Sequence, residues 1–218
     1  MALLHYAPPL EPYLHILYQD DDIIVLDKPS GLLSVPGKAK EHADCLQSRV
    51  QRVFPLATVV HRLDMATSGI MVMAMNKAAH RHLSKQFELR QTDKSYQAVI
   101  YGQPRSDSGE VDLPLICDWP NRPKQMVDRE NGKKALTRWQ IVKRDEQCCR
   151  VDLFPVTGRS HQLRVHMLSM GHPIIGDRLY AHPEALALGQ RLHLHAKALS
   201  FSHPVSEKMQ HFYSEVPF

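Results

Sequence analysis

An α+β fold with a mixed, mainly antiparallel sheet and flanking helices is predicted by three features of the 218-residue sequence. Strand-like segments follow one another in meander order, without the regular strand–helix alternation of βαβ winding. Helical segments are few, and their ends carry cap or stop signals. No repeat, low-complexity tract or flexible linker interrupts the chain, so residues 1–218 read as a single domain of two intimate halves. At 43% hydrophobic content, a chain of this length buries a substantial core.

The elements follow in order. Residues 13–18 and 23–26 read as strands joined through Gln19-Asp20-Asp21-Asp22, and Asp27-Lys28-Pro29-Ser30-Gly31 as a turn. From Asp44 on, Leu46, Val50, Val53 and Phe54 keep helical spacing until Pro55 stops it. Residues 59–63 read as extended, Thr67-Ser68-Gly69 as a turn, and residues 70–75 as a buried strand. Asn76 is a candidate N-cap for a basic-faced helix whose apolar stripe is Ala79, Leu83 and Phe87.

Residues 96–101 form a strand with Tyr96, Ala98 and Ile100 on one face. Residues 136–142 and 150–154 make a hairpin around residues 143–147. A short helix covers about residues 160–170, closed by Gly171, with Leu163, Met167 and Met170 facing inward. Residues 192–201 alternate again and end at Pro204.

Composition excludes several function classes. No apolar run approaches the ~18 residues that span a bilayer, and the N-terminus lacks the basic region of a secretory signal. Cys45, Cys117, Cys148 and Cys149 show no CxxC spacing, which argues against a disulfide framework or zinc knuckle and fits a reducing cytoplasm. HExxH, P-loop, GxGxxG and GxSxG motifs are all missing, so a reaction without cofactor or metal is favoured. Lys and Arg exceed Asp and Glu by 27 − 23 = 4, mildly permissive of a polyanionic partner. Arg122, Lys124, Arg129, Lys133, Lys134 and Arg138 share one polar span with Asp128 and Glu130. That span is either a phosphate-tracking loop or a solvated surface loop. The short chain and the lack of coiled-coil heptads lean towards a monomer.

Two stretches concentrate the chemistry. In His61-Arg62-Leu63-Asp64, an extended backbone puts Val60, Arg62 and Asp64 on one face and Val59, His61 and Leu63 on the other. Asp64 is therefore either a turn cap or a carboxylate presented at a strand end beside a guanidinium. In Gly158-Arg159-Ser160-His161-Gln162-Leu163-Arg164, Arg164 lies ~100° from Leu163, at the edge of the apolar face. A half-buried arginine wants a carboxylate, because an unpaired buried charge costs several kcal/mol. Asp64 is the expected partner, a pairing that would keep it ionised as a nucleophile requires; a plain structural ion pair is the alternative.

These stretches resemble motifs of the RluA family of pseudouridine synthases. His61 to Gly69 is similar to that family's catalytic motif. Gly158 to His166, followed by Gly171-His172-Pro173 and Gly176-Asp177, resembles a second motif. Asp27 to Gly31 resembles the N-terminal motif, and Lys94-Ser95-Tyr96 the tyrosine-bearing strand. The resemblance runs from about residue 14 to the C-terminus with its motifs in order. It implies the pseudouridine synthase fold with a central RNA-binding cleft, a cytoplasmic enzyme without cofactor, and, because no S4 RNA-binding domain is seen, the short branch of the family. It further implies Asp64 as the essential carboxylate, with Tyr96 and Arg164 beside it and Leu163 packed on the flipped base. Arg62, His61, Arg159 and His161 are then substrate-binding candidates, with Arg62 bracing the vacated base stack. Residues 116–125 resemble a dual-specificity member. That implies uridine 32 of tRNA anticodon stem-loops and uridine 746 of 23S rRNA as targets. Two rivals remain: a metal-dependent hydrolase using His193, His195 and Asp64, and a non-catalytic RNA-binding module.

Overall fold

The computed structural model describes residues 6–218. In chain order the elements are β1 (Ile16–Gln19), β2 (Ile23–Lys28), α1 (Leu46–Gln51), β3 (Thr58–Val59), β4 (Ser68–Ala74) and α2 (Lys77–Glu88). β5 (Asp93–Tyr101), β6 (Ser108–Asp112), β7 (Leu115–Cys117), β8 (Gln125–Val127), β9 (Leu136–Arg144) and β10 (Cys148–Pro155) follow. α3 (Gln162–Ser169), α4 (Pro183–Ala187), β11 (Leu194–Ser202) and β12 (Met209–Tyr213) complete the chain. The chain divides into two compact units, residues 6–94 with Ala196–Pro217 and Ser95–His195 with Phe218, so the division falls inside β5 and β11.

In the first of these units the strand order is β1-β2-β4-β11, with β3 on β4 and β12 on β11. β4 is buried along its whole length and β2 everywhere but Asp27. Burial on both faces explains why these strands read as unbroken apolar runs rather than alternating ones. One face packs Ile23, Val25, Ile70, Val72 and Ala74 against Ala79 and Leu83 of α2 and Leu199 and Phe201 of β11. Asn76 caps α2 as its sequence position predicts, its side-chain oxygen accepting the Ala79 N–H at 2.9 Å.

Several boundaries differ from the sequence reading, and three of them have an evident physical reason. β1 starts at Ile16, because Tyr13 is taken by another contact, with the Arg49 guanidinium 4.7 Å from its ring. α1 ends at Gln51, which leaves Val53 62% exposed instead of on an apolar stripe. The extended run stops at Val59, and Ser68 and Gly69 belong to β4. The turn is Asp64–Thr67, closed by the Thr67 N–H on the Asp64 carbonyl at 3.1 Å. Residues 60–64 have no strand neighbour; Ser34 serves instead, its hydroxyl accepting the Leu63 N–H at 3.2 Å and donating to the Leu63 carbonyl at 2.7 Å. The face argument for Arg62 and Asp64 falls with the strand.

In the other unit the order is β5-β10-β9-β6, all antiparallel, and β7 and β8 pair separately. The β9–β10 hairpin sits where alternation predicts it, burying Thr137, Trp139, Cys149, Val151 and Leu153. α3 ends in a paired C-terminal motif: Gly171 N–H to Leu168 O at 2.9 Å and His172 N–H to Met167 O at 3.1 Å, with Gly171 at φ +81°. Its single inward stripe does not hold. Residues 162–167 are all buried, polar ones included. Hydrogen bonds make that burial affordable. Gln162 Oε1 accepts from the Thr157 hydroxyl (2.7 Å) and the Arg159 N–H (3.0 Å), while its Nε2 donates to Leu136 O and Thr137 Oγ1, both at 3.0 Å. His166 Nδ1 lies 2.9 Å from Thr137 Oγ1 and Nε2 3.0 Å from the Leu113 carbonyl, so Nε2 carries the proton.

Candidate active site

Asp64 opens the 64–67 turn, and the Asp27–Gly31 segment holds that turn from beneath. Lys28 is fully buried, and its ammonium donates to the carbonyls of Pro29 (2.9 Å), Leu32 (2.7 Å) and Met65 (3.2 Å). The Ser30 hydroxyl donates to Ala66 O at 2.7 Å, and the Gly31 N–H to Met65 O at 2.8 Å. A buried ammonium is tolerated when carbonyl dipoles replace its water. The N-terminal motif is thus a clamp on the backbone that carries Asp64. The sequence reads this segment as a turn and as a family motif without giving Lys28 a role; a lysine closing an apolar strand is the signal for one.

His61 and Arg62 precede the turn and point to different work. His61 Nε2 accepts the Val72 N–H at 3.0 Å, and its ring stacks on Phe87 at 4.4 Å. Burial, with a smaller contribution from the nearby Lys94 ammonium, holds its pKa down to about 3, so the ring is neutral. Lys94 is itself pushed down by burial and then by Arg90. Arg62 is exposed.

In the 95–195 unit, Arg164 is 4% exposed, deeper than a helix-edge position suggests. Its Nε and Nη2 donate to the two oxygens of Asp177 at 2.8 and 2.7 Å, a bidentate pair. Asp177 Oδ1 also accepts the Leu179 N–H at 2.9 Å. The guanidinium lies 5.0 Å from the centroid of the Tyr180 ring. The Tyr180 hydroxyl accepts the Gln125 N–H at 2.7 Å and sits 2.7 Å from His161 Nδ1, to which it can therefore donate. Leu163 is buried beside Arg164, and the exposed Arg159 donates through Nε to Lys134 O at 3.1 Å. Tyr96 is half-buried on β5 opposite Leu153.

Asp177 and Tyr180 were not singled out as site residues. Asp177 stood in a quoted motif, but nothing in its spacing marks it as the partner of Arg164. The sequence reading assigned that pairing to Asp64; the Nε/Nη2 edge goes to Asp177.

The histidines weighed as metal ligands are placed differently. The His193 ring stacks on Phe218 at 4.6 Å, and burial, then Arg191 and Arg150, lowers its pKa. Among the described residues, the one group of three metal-ligating side chains is Asp20, Asp22 and His203, which includes neither His193 nor His195. Its atoms are already used: Asp20 accepts from the Asp22 and Ile23 N–H groups, the Tyr18 hydroxyl and His203 Nε2.

Comparison with known proteins gives these groups a family. Residues 22–169 match the model of the RNA pseudouridylate synthase family. The chain is 58% identical over 205 residues to the dual-specificity RNA pseudouridine synthase RluA of Escherichia coli (strain K12), covering 94% of each protein. It is 51% identical over 219 residues, all of both chains, to the protein of that name from Haemophilus influenzae (strain Rd). Its fold is similar to human RNA pseudouridylate synthase domain containing 1, with a TM-score of 0.80 and 27% identity over 94% of this chain and 84% of that one. The chain belongs to the RNA pseudouridylate synthase family and is an isomerase that converts uridine in RNA to pseudouridine.

Proposed function

We propose that this enzyme acts on two structured RNAs, modifying uridine 32 of tRNA anticodon stem-loops and uridine 746 of 23S rRNA. The single observation that carries this reading is the 51–58% identity, over nearly the whole chain, to proteins named for dual specificity. In the reaction the N1–C1′ bond breaks, the uracil turns, a C5–C1′ bond forms, and the proton lost from C5 is balanced by one gained at N1. Nothing is oxidised or reduced, so the conversion needs no cofactor.

Asp64 is the essential carboxylate in this reading. Three roles suit it: addition to the ribose, addition to uracil C6, or removal of the C2′ proton. Arg164 orients and charge-balances it, and the Asp177 pair is what sets the guanidinium plane. Tyr96 stacks on the uracil and assists proton transfer at C5. Arg62 braces the stack once the base is extruded, at a cost of a few kcal/mol, while Leu163, His61, Arg159 and His161 line or support substrate binding. The enzyme works as a cytoplasmic monomer. Mapping pseudouridine in tRNA and 23S rRNA from cells lacking the protein tests the specificity. Loss at both positions, restored by the parent protein and not by Asp64→Asn, is expected; loss at one alone, or at neither, contradicts it.

A further inference from the structure

The loop joining β7 to β8 carries a feature that the reaction does not use. Trp119, Pro120 and Asn121 form one 3₁₀ turn, and Trp119 is 67% exposed. The other tryptophan of the sequence, Trp139, is 6% exposed. Leaving an indole in water forgoes about 2 kcal/mol or more of burial, so its presentation calls for a reason. The loop is well ordered by its own bonds. Asp118 N–H donates to Lys124 O (3.0 Å), Lys124 N–H to Asn121 O (3.1 Å), and Asn121 Nδ2 to both Asp118 carboxylate oxygens (3.1 and 3.0 Å). The Arg122 guanidinium lies 4.8 Å from the centroid of the indole.

The surroundings select the partner. Exposed Arg122 lies on the same hairpin, and exposed Arg129, Lys133 and Lys134 lie on the connection from β8 to β9, where Lys133 N–H donates to the Leu115 carbonyl of β7 at 2.8 Å. An apolar protein face covering Trp119 would have to desolvate Arg122 with it, at a cost of several kcal/mol. A nucleotide presents a π-face to the indole and a phosphate to the cations at once. The hairpin is also fastened to the Arg164 assembly: the Gln125 N–H reaches the Tyr180 hydroxyl, whose ring carries the Arg164 guanidinium.

We propose that Trp119 and Arg122 form a stacking platform for one unpaired base of the substrate RNA, a nucleotide other than the uridine being isomerised. The proposal rests on the RNA-modifying activity. Unpaired loop nucleotides are the ones whose bases can splay onto an aromatic surface, so the platform reads loop structure and acts in binding, not in bond making.

The test uses the full-length protein and a tRNA anticodon stem-loop RNA. Trp119→Ala raises Kd and KM by roughly 5- to 100-fold and leaves kcat at saturating RNA within about twofold of the parent. Trp119→Phe recovers most of the loss, since a smaller ring still stacks. RNA quenches the intrinsic fluorescence of the parent, and the quench disappears in Trp119→Phe because the remaining tryptophan is buried. Equal Kd for Trp119→Ala and parent, or Trp119→Phe as weak as Trp119→Ala, overturns the platform. A parent protein inactive on this RNA defeats the substrate assignment instead, and the Kd comparison still decides the platform.

Discussion

Asp64 and Arg164 owe their positions to neighbours that do no chemistry. Lys28, Ser30, Gly31 and Ser34 bond the backbone from Leu63 to Ala66, so the turn bearing Asp64 is set by four residues that bond across 29 to 37 positions of sequence. Arg164 is held by Asp177 and covered by Tyr180. Removing one member of a buried pair leaves an uncompensated charge, at a cost of about 3–5 kcal/mol. Arg164→Met therefore lowers thermal stability as well as activity, because Asp177 loses its counter-ion. Arg164→Met/Asp177→Leu regains at least half of the lost stability and none of the activity. Melting curves beside a pseudouridine-formation assay check this; a single variant that melts with the parent would show the pair to be dispensable for folding.

Elements show where local pattern speaks and where it does not. The β9–β10 hairpin, the Asn76 cap and the Gly171 terminus were legible because alternation, cap chemistry and a left-handed glycine are local properties. α3 departs from its expected single inward stripe because Gln162, Arg164 and His166, polar on different sides of the helix, are each satisfied in burial by residues 13 to 53 positions away in sequence or by a nearby threonine. The path of residues 60–64 was misread for a similar reason, since Ser34 replaces a strand. Gly69 marks a further constraint invisible to periodicity. It sits in β4 at φ +115°, and a Cβ there would lie 2.3 Å from the Ala196 carbonyl oxygen. Gly69→Ala is expected to cost at least about 2 kcal/mol, read as a lowered denaturant midpoint; an unchanged midpoint would mean the backbone can yield there.

Across the whole molecule, acid sensitivity follows from histidines buried neutral. His61, held down to about 3, and His166, lowered mainly by burial, both bind a proton in the unfolded chain near pH 6.5 before they do in the folded one. Their depressed folded values contribute stability that is complete above about pH 6.5 and is lost as pH falls from there towards about 3. Thermal melts between about pH 7.5 and 5 should show this decline, and His61→Gln should flatten it; a parent melt independent of pH over that range contradicts the account. The fold class was open to sequence because strand alternation and helix caps are written locally, whereas the strand order, with β11 beside β4, is not. The supports of the site were not, because Lys28, Asp177 and Tyr180 acquire their roles only through long-range contacts.

In the proposed mechanism Asp64 is the carboxylate the reaction cannot do without, and one substitution isolates it. Asp64→Asn keeps the side chain's size and removes its charge. Pseudouridine formation by this variant in the anticodon stem-loop RNA, measured alongside RNA binding, is the direct test. The expected result is parent-like binding, within about threefold, and no detectable pseudouridine after many parent turnover times. Pseudouridine accumulating at a rate within about tenfold of the parent would contradict the central role of Asp64.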